Sequence, residues 1–205
     1  KRSDKQRGLL ADRFRPGPLV DHDAVRTSHE AIDEADGSRV IVHFLRERFC
    51  VDRTMRHDTA ARLLERVGHG NRFVSPLVEA GIEGERVFVV EAKPAGVSLR
   101  SVLRARARTR KPLEAPELLP LVARVRTALD ALPASFVLGS IAPRTVYVDE
   151  EGLRLTECFI VPALDRPSLL ELYRADESFR RAYAPECAGG RFEREALVPV
   201  DFDTA

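Results

Sequence analysis

The chain changes its periodicity once, at Lys93-Pro94-Ala95-Gly96, and that break constrains the fold more than any other feature. Before it, the apolar residues come in short β-type runs. Residues 39–45 (Arg-Val-Ile-Val-His-Phe-Leu) are rich in β-branched and aromatic side chains and follow the turn-forming Asp36-Gly37-Ser38. Residues 73–80 and 86–91 read as a hairpin around Glu83-Gly84-Glu85. One helical pattern interrupts them, with Met55, Thr59, Leu63 and Val67 spaced by four and a stop at Gly68. After the break the pattern is helical. Leu99, Val102 and Leu103 open a short amphipathic helix, and Leu118, Val122, Val125, Leu129 and Leu132 form the stripe of a longer one. Pro116 suits that helix's first turn, where its missing N–H is not needed. A small hairpin, residues 145–148 and 153–156 around Asp149-Glu150-Glu151-Gly152, follows. The fold class expected is α+β, with a β-rich lobe over residues 9–92, a hinge over 93–98 and a helical lobe over 99–205.

Composition narrows the function classes. The 205 residues carry 33 basic and 32 acidic side chains, so no global field drives the chain toward nucleic acid or anionic lipid. No apolar run reaches the roughly 18 to 20 residues of a membrane-spanning helix. Residues 1–8 read as a charged flexible tail without the apolar core of a signal peptide. The chain does not start with Met, which suggests a piece of a longer polypeptide. Cys50, Cys158 and Cys187 are scattered and odd in number, as expected of a reducing, cytoplasmic setting. His22, His29, His57 and His69 show no ligand spacing with each other or with the cysteines, so no metal is expected.

The order of elements and several local matches resemble a bacterial serine/threonine protein kinase domain. Arg13-Phe14-Arg15 is similar to its opening strand, and residues 36–40 to the approach to its lysine-bearing strand. Residues 87–91 with Gly96-Val97-Ser98-Leu99 are similar to the hinge, and residues 149–156 to the turn and strand before the metal-binding loop. Tyr183-Ala184-Pro185-Glu186 matches the end of the activation segment, and Asp201 (or, with a shifted register, Asp203) the aspartate that braces the catalytic loop, so the resemblance implies a helical C-lobe truncated at its C-terminal end. A kinase works by positioning and neutralising phosphates, so the resemblance implies a small set of residues whose presence is checkable.

Those residues are altered. The three glycines of the phosphate loop fall on Asp21, Asp23 and Arg26, and two carboxylates there would repel a triphosphate. At roughly 5 Å and an effective dielectric near 20, each like-charge pair costs about 3 kcal/mol. The strand lysine falls on His43, read here as a strand histidine with a local hydrogen-bond partner. The helix glutamate that would pair with that lysine falls near Ala60, with Asp58 and Glu65 the nearest acids. In the catalytic loop the base falls on Ser140, the lysine on Ala142 and the metal-ligating asparagine on Thr145, while Pro143 is kept. A serine hydroxyl takes up no proton near neutral pH. The metal-binding aspartate falls on Glu157, followed by Cys158, which reads as a small buried hydrophobe.

The resemblance therefore implies a pseudokinase: no catalytic residue, no cofactor, no metal and no ATP binding, with function through protein partners in bacterial intracellular signalling. Two other readings stay open on the sequence: a pseudokinase whose ATP occupancy regulates a partner, and an atypical active transferase. A non-kinase α+β domain would show residues 39–45 and 86–91 in separate sheets. Finally, Arg100, Arg104 and Arg108 share one helix face within a basic run that ends at Lys111. The run reads first as a solvated helix end and second as a surface for an acidic protein; the lack of interleaved aromatics argues against nucleic acid.

Overall fold

The computed structural model describes residues 8–132, 141–150 and 152–181. Contacts between residues divide the chain into two compact units. One comprises residues 1–69, 76–93 and 163–180, and the other residues 70–75, 94–162 and 181–205.

The first unit is built on an antiparallel five-stranded sheet in the order β1-β2-β3-β5-β4. The strands are β1 (Phe14–His22), β2 (Arg26–Asp33), β3 (Arg39–Leu45), β4 (Leu77–Glu83) and β5 (Arg86–Ala92). β3 pairs with β5 over Val40–Phe44 opposite Phe88–Ala92, so residues 39–45 and 86–91 do share one sheet. Because β3 and β5 are central, both of their faces are buried, which is why they read as near-continuous apolar runs. On one face Phe14, Ala31, Val40, Val42, Phe88 and Val90 form a core with Leu10. The other face carries Ile41, His43, Leu45, Val87, Val89 and Glu91, all buried. β1 is an edge strand, mostly exposed, with two register irregularities against β2. Its Pro16 and Pro18 are tolerated there because an edge leaves N–H groups outside the ladder.

Helix α1 (Arg53–Leu64) lies against β4 and β5. Asp52 caps it, its carboxylate accepting from the Met55 N–H at 2.7 Å. Of the expected stripe, Thr59 and Leu63 are buried together with Ala60, and Val67 lies past the helix end. α5 (Arg166–Ala175) and most of α6 (Glu177–Arg181) belong to this unit too. Arg62 donates to the Ala163 carbonyl at 2.7 Å.

The second unit holds a three-stranded antiparallel sheet, β6 (Val97–Ser98), β7 (Val146–Val148) and β8 (Leu153–Leu155). It also holds α2 (Leu99–Arg108), α3 (Ala115–Asp130) and most of the short α4 (Ile160–Ala163). Residues 73–75, expected at the start of a strand, instead reach β8: Leu155 N–H donates to Phe73 O, and Ser75 N–H to Leu155 O at 2.9 Å. α3 forms where expected, yet its stripe is largely uncovered, with Leu118 and Val122 exposed and Ala128 its one buried residue. Gly96 sets the entry to this unit. Its φ is +79°, and a Cβ there would sit 2.2 Å from the Val148 carbonyl oxygen.

Two measurements test these elements. Gly96→Ala is expected to destabilise the protein by about 2 kcal/mol or more, read from urea or thermal melts, since both backbone conformation and space are lost. The second concerns acid. Arg13 donates to both Asp33 oxygens, at 2.9 and 2.6 Å, which holds the Asp33 carboxyl below its ordinary range. Lys93 and Arg39 do the same for Glu30. In both cases the unfolded chain binds protons first, so this stability is complete above the ordinary carboxylate pKa of about 4 and drains away as pH falls through the folded value. Arg13→Gln should flatten the loss of melting temperature measured between neutral pH and acid.

Candidate functional site

The altered residues fall into both units, and each group has its own local chemistry. In the first unit, β1 and β2 are joined by a turn that Asp23 closes. Its Oδ1 accepts from the N–H groups of Val25 at 2.8 Å and Arg26 at 2.9 Å, and the Asp23 N–H donates back to the Arg26 carbonyl. The Arg26 guanidinium is fully buried between two carboxylates, Asp21 at 3.5 Å and Asp23 at 3.6 Å. The loop expected to present bare negative charge thus carries its own counter-ion. Arg26 offsets one of the two negative charges of Asp21 and Asp23, and the loop is tied to itself by charge and by backbone hydrogen bonds.

His43 sits on β3 directly opposite Ser28 of β2. The Ser28 hydroxyl lies 2.8 Å from its Nδ1, and a Glu91 carboxylate oxygen of β5 lies 3.3 Å from its Nε2. Ser28, His43 and Glu91 are all at most 2% exposed. Both ring nitrogens are therefore engaged inside the sheet, one on each neighbouring strand. A buried carboxylate is costly unless paired, and the imidazole N–H supplies a partner. The chain Ser28–His43–Glu91 has the composition of a nucleophile–base–acid relay, but all three side chains are buried, and it ties β2, β3 and β5 together. Sequence reasoning anticipated a local partner for His43 and named neither residue. Ser28 is found only through the β2–β3 register, and Glu91 only through the β3–β5 register.

Where a helix glutamate would stand, α1 places Ala60, buried, with Asp58 and Glu65 both exposed. No carboxylate of α1 is buried beside the sheet.

In the second unit, Ala142 and Thr145 close a tight turn ahead of β7. The Thr145 hydroxyl donates to the Ala142 carbonyl at 2.9 Å and lies 3.1 Å from the Ala142 N–H. The Thr145 carbonyl in turn accepts from the Thr156 N–H at 2.9 Å. Thr145, 2% exposed, spends its hydroxyl on the turn, so its position is structural. Glu157, with φ of +62°, stands in the left-handed region, an uncommon place for a glutamate. Its carboxylate faces the Arg144 guanidinium at 3.8 Å, both largely buried. Cys158 is buried, its thiol donating weakly to the Thr156 carbonyl at 3.6 Å, which agrees with a packing role. The other described cysteine, Cys50, belongs to the first unit, where burial pushes its thiol pKa up and makes it less reactive. Among the described residues, no group of three or more His, Cys, Asp or Glu side chains could hold a metal ion. Ser140, Tyr183-Ala184-Pro185-Glu186, Cys187 and Asp201 lie outside the described residues.

The buried relay makes a graded prediction. His43→Ala leaves the Glu91 carboxylate without the imidazole and should cost about 2 to 4 kcal/mol in denaturant melts. Glu91→Gln keeps an acceptor for Nε2–H and should cost less. Equal losses in the two variants would show that packing, not the hydrogen-bonded chain, sets the effect.

No family model matches the chain, and no curated protein matches it by sequence. Solved structures do. The chain is similar to the crystal structure of the Mycobacterium tuberculosis PknI kinase domain in a single cysteine-to-alanine mutant, with a TM-score of 0.58, 14% identity, and coverage of 83% of this chain and 73% of that one. A double mutant of the same kinase domain gives a TM-score of 0.59 at 14% identity, over 78% of this chain and 70% of that one. At this identity the likeness speaks for architecture alone: the chain has a protein-kinase-like α+β fold.

Proposed function

We propose that this chain is a catalytically inactive kinase-like module that acts by binding other proteins in bacterial cytoplasmic signalling. One observation carries the reading. The position that a kinase gives to a phosphate-holding lysine is here a buried histidine with both ring nitrogens committed to Ser28 and Glu91. An imidazole so engaged has no donor left for a phosphate, and freeing one would leave Glu91 short of a partner in the interior. The remaining altered positions support it. Asp21 and Asp23 neutralise Arg26, the Thr145 hydroxyl closes its own turn, and Glu157 faces Arg144. Each would have to exchange a local partner for nucleotide or magnesium before contributing to phosphoryl transfer. No helix among the described residues is long and apolar enough to cross a membrane, which accords with partners met in the aqueous phase.

The test is a thermal-shift titration with ATP, with and without Mg²⁺, beside incorporation of labelled phosphate into the protein and a generic acceptor. The expected outcome is an unchanged melting temperature and no label. A rise of several degrees at millimolar ATP would overturn the nucleotide-free part of the reading, and label abolished by Glu157→Ala would overturn all of it. His43→Lys is expected to restore neither, because the lysine would meet Glu91 in the interior while the other positions remain occupied.

A further inference from the structure

The helix α2 stands apart from the rest of the second unit because it contributes no buried side chain. A ten-residue helix is marginal by itself. This one is held by the Ser98 cap, by the Arg100 N–H on the Pro143 carbonyl and by an ion pair of Arg106 with Glu117 of α3. Along its flank runs an open groove of ≈ 510 Å³, lined by Val97, Ser101, Val102, Ala105, Arg106 and Thr109. The small residues Ser101 and Ala105 form its floor, one helical turn apart, while Val97 remains 54% exposed at its end.

Apart from the Arg106–Glu117 pair, the charge that α2 carries beside this groove is of one sign. Arg104 and Arg108 follow Ser101 and Ala105 by three residues, so each stands beside the floor. Arg104, Arg108, Arg110 and Lys111 are exposed, and no acidic residue occurs between Glu91 and Glu114. Like charges four apart on a helix oppose its formation, and the chain elsewhere is nearly neutral, at +1 overall. An apolar floor under a row of guanidinium groups is complementary to an anionic ligand that also carries apolar side chains. Bare phosphate polymers fit less well, because the described lining has no aromatic platform on which bases would stack. A lipid surface fits poorly as well, since the site is concave and lacks the large apolar residues that anchor an interfacial helix.

We propose that the α2 groove docks an acidic segment of a partner protein, its apolar side chains seated over Ser101 and Ala105 and its carboxylates paired with Arg104 and Arg108. This deepens the binding-module reading by naming the site and the partner's chemistry. Helix-in-groove recognition places such anchors three or four residues apart, and guanidinium groups pair carboxylates bidentately.

A random peptide library displayed on phage, selected against the intact protein at physiological salt, tests it. The enriched peptides should be acidic, with apolar residues spaced by three or four. Their affinity, measured by fluorescence anisotropy, should fall about tenfold or more in the Arg104→Glu/Arg108→Glu double variant. It should fall similarly in Ala105→Trp, which fills the groove without altering charge. Both changes are at exposed positions, and unchanged thermal melts would confirm folding. Enrichment of neutral or basic peptides, failure to enrich any, or affinities indifferent to both variants would overturn the proposal. So would saturable binding of duplex DNA or phosphatidylserine vesicles, lost on charge reversal, with no acidic peptide selected. These results are separable from the nucleotide tests: a failed selection with inert ATP removes only the groove, whereas an ATP response with intact peptide binding removes only the inactive reading.

Discussion

A single imidazole bridging three strands organises the first unit. His43 is on the middle strand of the sheet, and its two nitrogens reach a hydroxyl on one neighbour and a carboxylate on the other. A one-residue slip of β3 would carry His43 to the face occupied by Val42 and Val40 and strand Glu91 among apolar side chains. The hydrogen-bonded chain therefore penalises every wrong register, beyond what hydrophobic burial penalises by itself. Burial alone specifies little here, because β3 and β5 are apolar on both faces. Polar specification of a central strand costs little when each member is satisfied and much when one is missing.

The same device recurs at the other altered positions. Arg26 is enclosed by Asp21 and Asp23, the Thr145 hydroxyl folds back on Ala142, and Glu157 lies against Arg144. In each case a polar side chain at a position that the sequence resemblance aligns with a nucleotide- or metal-holding residue meets a group from its own unit. Such pairs hold their geometry without a ligand. A loop of two carboxylates around one guanidinium, bonded to itself, gains little from an added anion, and a carboxylate facing a guanidinium is a poor candidate for a divalent cation, which would have to displace that charge. On the reading proposed above, what a ligand once ordered is now ordered by side chains.

Much of the fold was legible because the central strands announce themselves. β3 is found at residues 39–45 by its β-branched run and preceding turn, and β5 by the hairpin signal at Gly84. The hairpin's first strand was harder, since Phe73 and Val74 carry the same apolar signal as a strand yet bridge to β8, far along the chain. Periodicity reports that residues are buried or extended, not which element receives them. α3 shows the reverse failure: its stripe predicts the helix correctly, while Leu118 and Val122 of that stripe stay 39% and 60% exposed. The site was half legible. His43, Asp21, Asp23 and Glu157 were singled out by the resemblance to a kinase, but Ser28, Glu91 and Arg144 become visible only through registers and turns that no local window contains. That is why the two loop carboxylates read as a repulsive pair until Arg26 was seen between them.

The coupling among these positions bears on how such a site can change. A group with a local partner cannot be replaced singly without orphaning that partner: a lysine at position 43 needs a new arrangement of Glu91, and a glycine at position 23 releases Arg26. Effects of residues in one network do not add, so the first substitution carries the full cost and the gain appears only with the last. A chain in this state is held there by its own interior. Its exposed surface is under no such constraint. The exposed Arg104 and Arg108 of α2 take no part in those buried pairs.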